Sequence, residues 1–81
     1  MPTVLRHGPY RVYFYSQELG EPPHVHVDRE NKSAKFWLRP VRLARNWGYS
    51  AREINKIYRI LKDHELGLVN AWRSHFRTGS F

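Results

Sequence analysis

No cysteine occurs in the 81 residues and only one methionine. The first absence excludes a disulfide scaffold and any thiolate zinc site, and it agrees with a reducing compartment. No apolar run approaches the roughly 18 residues a membrane-spanning helix needs, and the first residues lack a signal-peptide core. The chain therefore reads as soluble and cytoplasmic. Acidic residues are scarce beyond residue 30, where Glu53, Asp63 and Glu65 face eleven lysines and arginines. Residues 1–30, with three arginines against four acids, carry almost no net charge.

Aromatic residues and cations are what the chain has in quantity. Three Trp, five Tyr and four Phe supply core material for a chain too short for two cores, so residues 1–81 read as one domain. The formal charge of +7 favours RNA or another polyanion, or an acidic protein, as partner. It does not favour a membrane, because no segment joins a lysine-rich face to a strongly apolar one.

Local patterns predict an α+β fold: a small antiparallel sheet of three to four strands, then two C-terminal helices packed on one face. Thr3 to Arg6 is β-prone, and His7-Gly8-Pro9 reads as a turn. Tyr10 to Tyr15 is the clearest strand. A polar loop from Ser16 to Pro23 leads into a hairpin of His24 to Arg29 and Ser33 to Leu38 around Glu30-Asn31-Lys32. Pro40 stops that strand, and Val41 to Trp47 suggests an irregular helical turn. Ser50-Ala-Arg-Glu53 is a capping-box pattern that opens a helix over about 50–63, with Glu53 expected to reach back to the cap. A second helix is expected over about 65–76, with Leu68, Val69, Trp72 and Phe76 as its apolar stripe.

Pro22-Pro23-His24-Val25-His26-Val27 carries the chemistry. On a strand, residues i and i+2 share a face, so the two imidazoles point together, away from Val25 and Val27. Alternation sends Val12, Phe14, Val25, Val27, Ala34, Phe36 and Leu38 to the core. The opposite face receives Arg11, Tyr13, Tyr15, His24, His26, Asp28, Lys35, Trp37 and Arg39. An exposed pair, His24 and His26, fits general acid–base catalysis near neutral pH. It would cleave RNA without metal or other cofactor, with Lys35 or Arg39 steadying the phosphorane charge and Tyr13, Tyr15 and Trp37 stacking on bases. The same pattern also fits histidines that only bind or brace, for example by hydrogen-bonding the loop over residues 16–23. A metal site is poorly supplied: Asp28 lies roughly 13 Å along the strand from His24, and ligands must approach one ion within roughly 2 Å. Arg39, Arg42 and Arg45, continued by Arg52, Lys56, Arg59 and Lys62, form a cationic stripe suited to phosphates. The two helices do not suit a DNA-reading helix-turn-helix, since their junction is too short and the second offers Trp72 and Phe76 instead of polar side chains.

Several strings together carry a family resemblance. Pro2-Thr3-Val4-Leu5, Gly8-Pro9-Tyr10-Arg11, Tyr13-Phe14-Tyr15-Ser16, the proline–histidine segment, Ala34-Lys-Phe-Trp-Leu38, Pro40-Val-Arg-Leu-Ala-Arg-Asn46 and Gly48-Tyr-Ser-Ala-Arg-Glu53 are similar to a small bacterial family, domain of unknown function 4160. The resemblance implies a stand-alone cytosolic protein in a gene layout similar to toxin–antitoxin pairs. It thus implies a toxin. Joined to the charge and the histidine pair, the leading expectation is a toxin-like component acting on RNA or the translation machinery, with an acidic antitoxin-like protein as its partner. The resemblance brings no established catalytic residues, but its motif coincides with Pro22, Pro23, His24, His26, Trp37, Arg42, Arg45 and Asn46. The alternative function is a non-catalytic module that binds nucleic acid or protein through the same face. A second copy of the chain is a further candidate partner.

Overall fold

A computed structural model describes residues 3–14, 20 and 22–79. Five strands follow one another as an antiparallel meander in the spatial order of the chain: β1 (Thr3–His7), β2 (Tyr10–Tyr13), β3 (His24–Arg29), β4 (Lys32–Leu38) and β5 (Val41–Trp47). Helices α1 (Ala51–Asp63) and α2 (Glu65–Gly79) complete the chain. The sheet has one strand more than the upper expectation, because Val41–Trp47 is a strand and not a helical turn. Tyr15 and most of residues 16–21 lie outside the described residues, as does the side chain of Phe76.

Alternation places the core as the pattern requires. Val12, Val25, Val27, Ala34, Phe36 and Leu38 are fully buried on one face of the sheet, with Phe14 just beyond β2. Ile57 and Leu61 of α1 and Leu68 and Val69 of α2 close over that face. Burying one large aliphatic or aromatic side chain contributes about 1.5–3 kcal/mol, so this layer is the main source of stability.

The connections hold local devices. Glu30, at the tip of the β3–β4 hairpin, has φ 56°, a left-handed value for which glycine is better suited. The β4–β5 turn contains a cis Arg39–Pro40 peptide. Gly48, with φ 105°, turns the chain out of β5. There the Asn46 side chain donates to the Tyr49 carbonyl at 2.9 Å and accepts from the Tyr49 N–H at 3.0 Å. Ser50 caps α1, its hydroxyl accepting from the Glu53 N–H at 3.2 Å. The other half of the expected capping box is replaced: the Glu53 carboxylate accepts from the Tyr10 hydroxyl at 2.8 Å and from the Arg29 guanidinium. That redirection ties the start of α1 to the sheet.

Candidate nucleic-acid interface

The register builds the face opposite the helices in rows across the strands. Arg11, Asp28, Ser33 and Trp47 form one row. Tyr13, His26, Lys35 and Arg45 form the next, and His24, Trp37 and Arg42 the third. Directly opposed residues of paired strands share a face, so the shared orientation expected for His24 and His26 is present. Their ring centroids are 5.4 Å apart, edge to face.

The expected exposure of the pair is not present. His24 is 1% exposed and His26 is 5% exposed. Tyr13 is likewise buried, and its ring stacks on His26 at 5.5 Å. Trp37 meets His24 edge-on at 5.8 Å. Cations lie against this cluster, with the Arg11 guanidinium 4.6 Å from the Tyr13 ring centre and the Lys35 ammonium 4.9 Å from that of Trp37. The alternation correctly collected these residues, but aromatic and imidazole rings pack on one another instead of standing in water. They form a second, polar-aromatic core.

Hydrogen bonds fix the cluster. His24 Nδ1 lies 2.9 Å from the Pro22 carbonyl, which can only accept, so Nδ1 carries the proton in that bond. This is the bracing role open to the histidines from sequence. Asp28 accepts from the Tyr13 hydroxyl at 3.0 Å and from the Ser33 hydroxyl at 2.7 Å. Tyr13 is therefore occupied on its ring and at its hydroxyl, and in this conformation it offers no surface to a base.

The other expected contacts separate into three places. Arg42 and Arg45 are exposed on β5, on the histidine-bearing face. Arg39 leaves that face: it stands in the β4–β5 turn and lines a groove with Lys62, Leu66, Val69, Asn70 and Arg73 of the helix layer. Arg52, Lys56 and Arg59 line a different groove beside His7. The stripe that is continuous in sequence is thus divided, because a turn and the β5–α1 connection redirect it.

Trp47 was not among the residues expected at the interface, yet it is 49% exposed in the same face as Arg45. A strand assignment for residues 41–47 would have revealed it. The register shift on β5 adds one residue, Ala44, between the positions facing Phe36 and Lys35. It spaces Arg42 and Arg45 by three, imitating a helical period.

The hydrogen bond from Tyr10 is the main influence holding the Glu53 carboxyl below the usual carboxylate range, with Arg29 adding its positive charge. Burial, reinforced by the same hydrogen bond, raises the Tyr10 phenol above its ordinary value. Both effects preserve the ion-paired bridge near neutral pH.

A five-stranded antiparallel meander backed by two helices defines an α+β protein with one covered and one cation-rimmed face. Residues 10–73, from β2 into α2, match the family described as domain of unknown function 4160, and the chain belongs to that family. No curated protein and no solved structure matches it. None of the described helices is long and apolar enough to cross a membrane.

Proposed function

We propose that the chain is a non-catalytic RNA-binding module whose β5 margin holds single-stranded RNA, with Arg42 and Arg45 on phosphates and Trp47 under a base. The observation that carries this reading is the register of β5 on β4, which turns all three exposed side chains to one face. Guanidinium groups suit phosphate oxygens in charge and shape, and an indole face stacks on any base. Half-buried Trp37 lies directly opposite Arg42 and extends the platform.

Binding fits the geometry better than cleavage. A general base must come within hydrogen-bond reach of the 2′-hydroxyl, whereas His24 and His26 are enclosed by Tyr13 and Trp37. On this reading a toxin-like effect on translation arises by occupying RNA rather than cutting it.

Fluorescence anisotropy with a labelled ten-nucleotide RNA in excess chelator tests the proposal. The wild-type chain binds and leaves the RNA intact on a gel. Arg42→Ala with Arg45→Ala weakens binding about tenfold or more, since charged hydrogen bonds are lost, and Trp47→Ala weakens it about fivefold. Cleavage that disappears in His26→Ala, or binding indifferent to the arginines, contradicts it.

A further inference from the structure

β5 ends the sheet and, among the described residues, pairs on one side only, with β4. The outer edge of such a strand presents main-chain N–H and C=O groups that another extended chain can adopt. Seven residues are long enough for specific pairing, and every position from Arg42 to Trp47 is at least partly exposed.

The two sides of this edge differ chemically. Arg42, Arg45 and Trp47 project with the histidine-bearing face, whereas Leu43, opposite Phe36 on the helix-covered face, remains 40% exposed. A strand added here would alternate its own side chains between the two environments. One set would meet guanidinium groups and the other the leucine. Acidic residues alternating with apolar ones satisfy both.

We propose that the outer edge of β5 receives an extended, alternately acidic and apolar segment of a partner protein, completing a sixth strand. A second copy of the chain fits poorly, because pairing β5 with itself would crowd four arginines of like charge along one short ladder. Exposed arginines on an edge discourage indiscriminate strand addition, while a segment bearing carboxylates offsets them. The same two side chains thus act as a selector for the partner. The inference does not require RNA binding, since it concerns the backbone edge of β5 as well as its side chains.

Calorimetric titration of the full chain with capped seven-residue peptides tests it. The probes are alternating glutamate–valine, the same composition in two blocks, and the alternating peptide N-methylated at every second amide. The alternating peptide is expected to bind and to slow amide exchange at Leu43 and Asn46, the β5 positions opposite Phe36 and Ala34 whose N–H groups point away from β4. The block and N-methylated peptides bind about tenfold more weakly or less, having lost the register or the main-chain bonds. Arg42→Glu with Arg45→Glu, changes confined to exposed positions, loses the acidic peptide and gains an alternating lysine–valine one. Failure of the alternating peptide to bind, equal binding of the N-methylated probe, or unchanged preference in the charge-reversed variant would overturn the proposal. So would a dimer in light scattering whose β5 amides are protected without peptide. RNA titrations of the unmodified chain are independent of each of these results.

Discussion

His24 and His26 illustrate how little a residue type says about its work until its surroundings are known. Each ring is packed among other rings, and His24 is tethered to Pro22. Truncating His26 removes the stacking partner of Tyr13 and leaves a cavity, so His26→Ala should lower unfolding free energy by about 2 kcal/mol in urea titrations. RNA affinity, measured below the melting temperature, should change less than about twofold, well short of the charged-contact losses expected at β5. Glu53 supports a second prediction at this scale. Its folded pKa lies below the unfolded one, so its contribution is complete above the ordinary carboxylate range and is lost as pH falls through the folded value. Between pH 6 and pH 3 the wild-type melting temperature should therefore fall further than that of Glu53→Gln. An equal fall would show that the bridge to Tyr10 and Arg29 contributes nothing to acid sensitivity.

Elements with uninterrupted alternation were readable from residue order alone. β2, β3 and β4 lie close to where period-two patterning puts them, and the inward set from Val12 to Leu38 is buried. The helix starting at Ser50 was legible for an equally local reason, its cap and apolar spacing. β5 was not, because its extra residue breaks the alternation and its edge position leaves little apolar signal. The hairpin tip gives this scale its own prediction. Glu30 holds a left-handed φ that costs a side-chain-bearing residue about 1–2 kcal/mol. Glycine escapes that cost but loses more backbone entropy on folding. Glu30→Gly should therefore stabilise the chain by about 0.5 kcal/mol, visible as a raised melting temperature; a lowered one would show that the turn depends on the glutamate side chain, which reaches Arg29 at 3.8 Å.

At the scale of the whole molecule, the sequence pattern correctly divides the strand residues between two faces but cannot show how completely each is covered. Burial of the histidine cluster depends on cross-strand ring packing, which joins positions as distant in the chain as Tyr13 and Trp37 through the intervening imidazoles. Charge was legible as a total and misleading as a stripe. The fold sends Arg39 toward α2, Arg52 to Arg59 toward β1, and leaves Arg42 and Arg45 on the β5 margin. A polyanion held by that margin releases few counterions, so its affinity should depend on salt moderately and in proportion to those two side chains. The logarithmic salt slope for single-stranded RNA is about −0.7 per neutralised phosphate. The most direct measurement is this slope for the wild-type chain and for Arg42→Ala with Arg45→Ala. The account predicts that the double substitution makes it shallower by about 1.4; an unchanged slope would place the RNA elsewhere on the molecule.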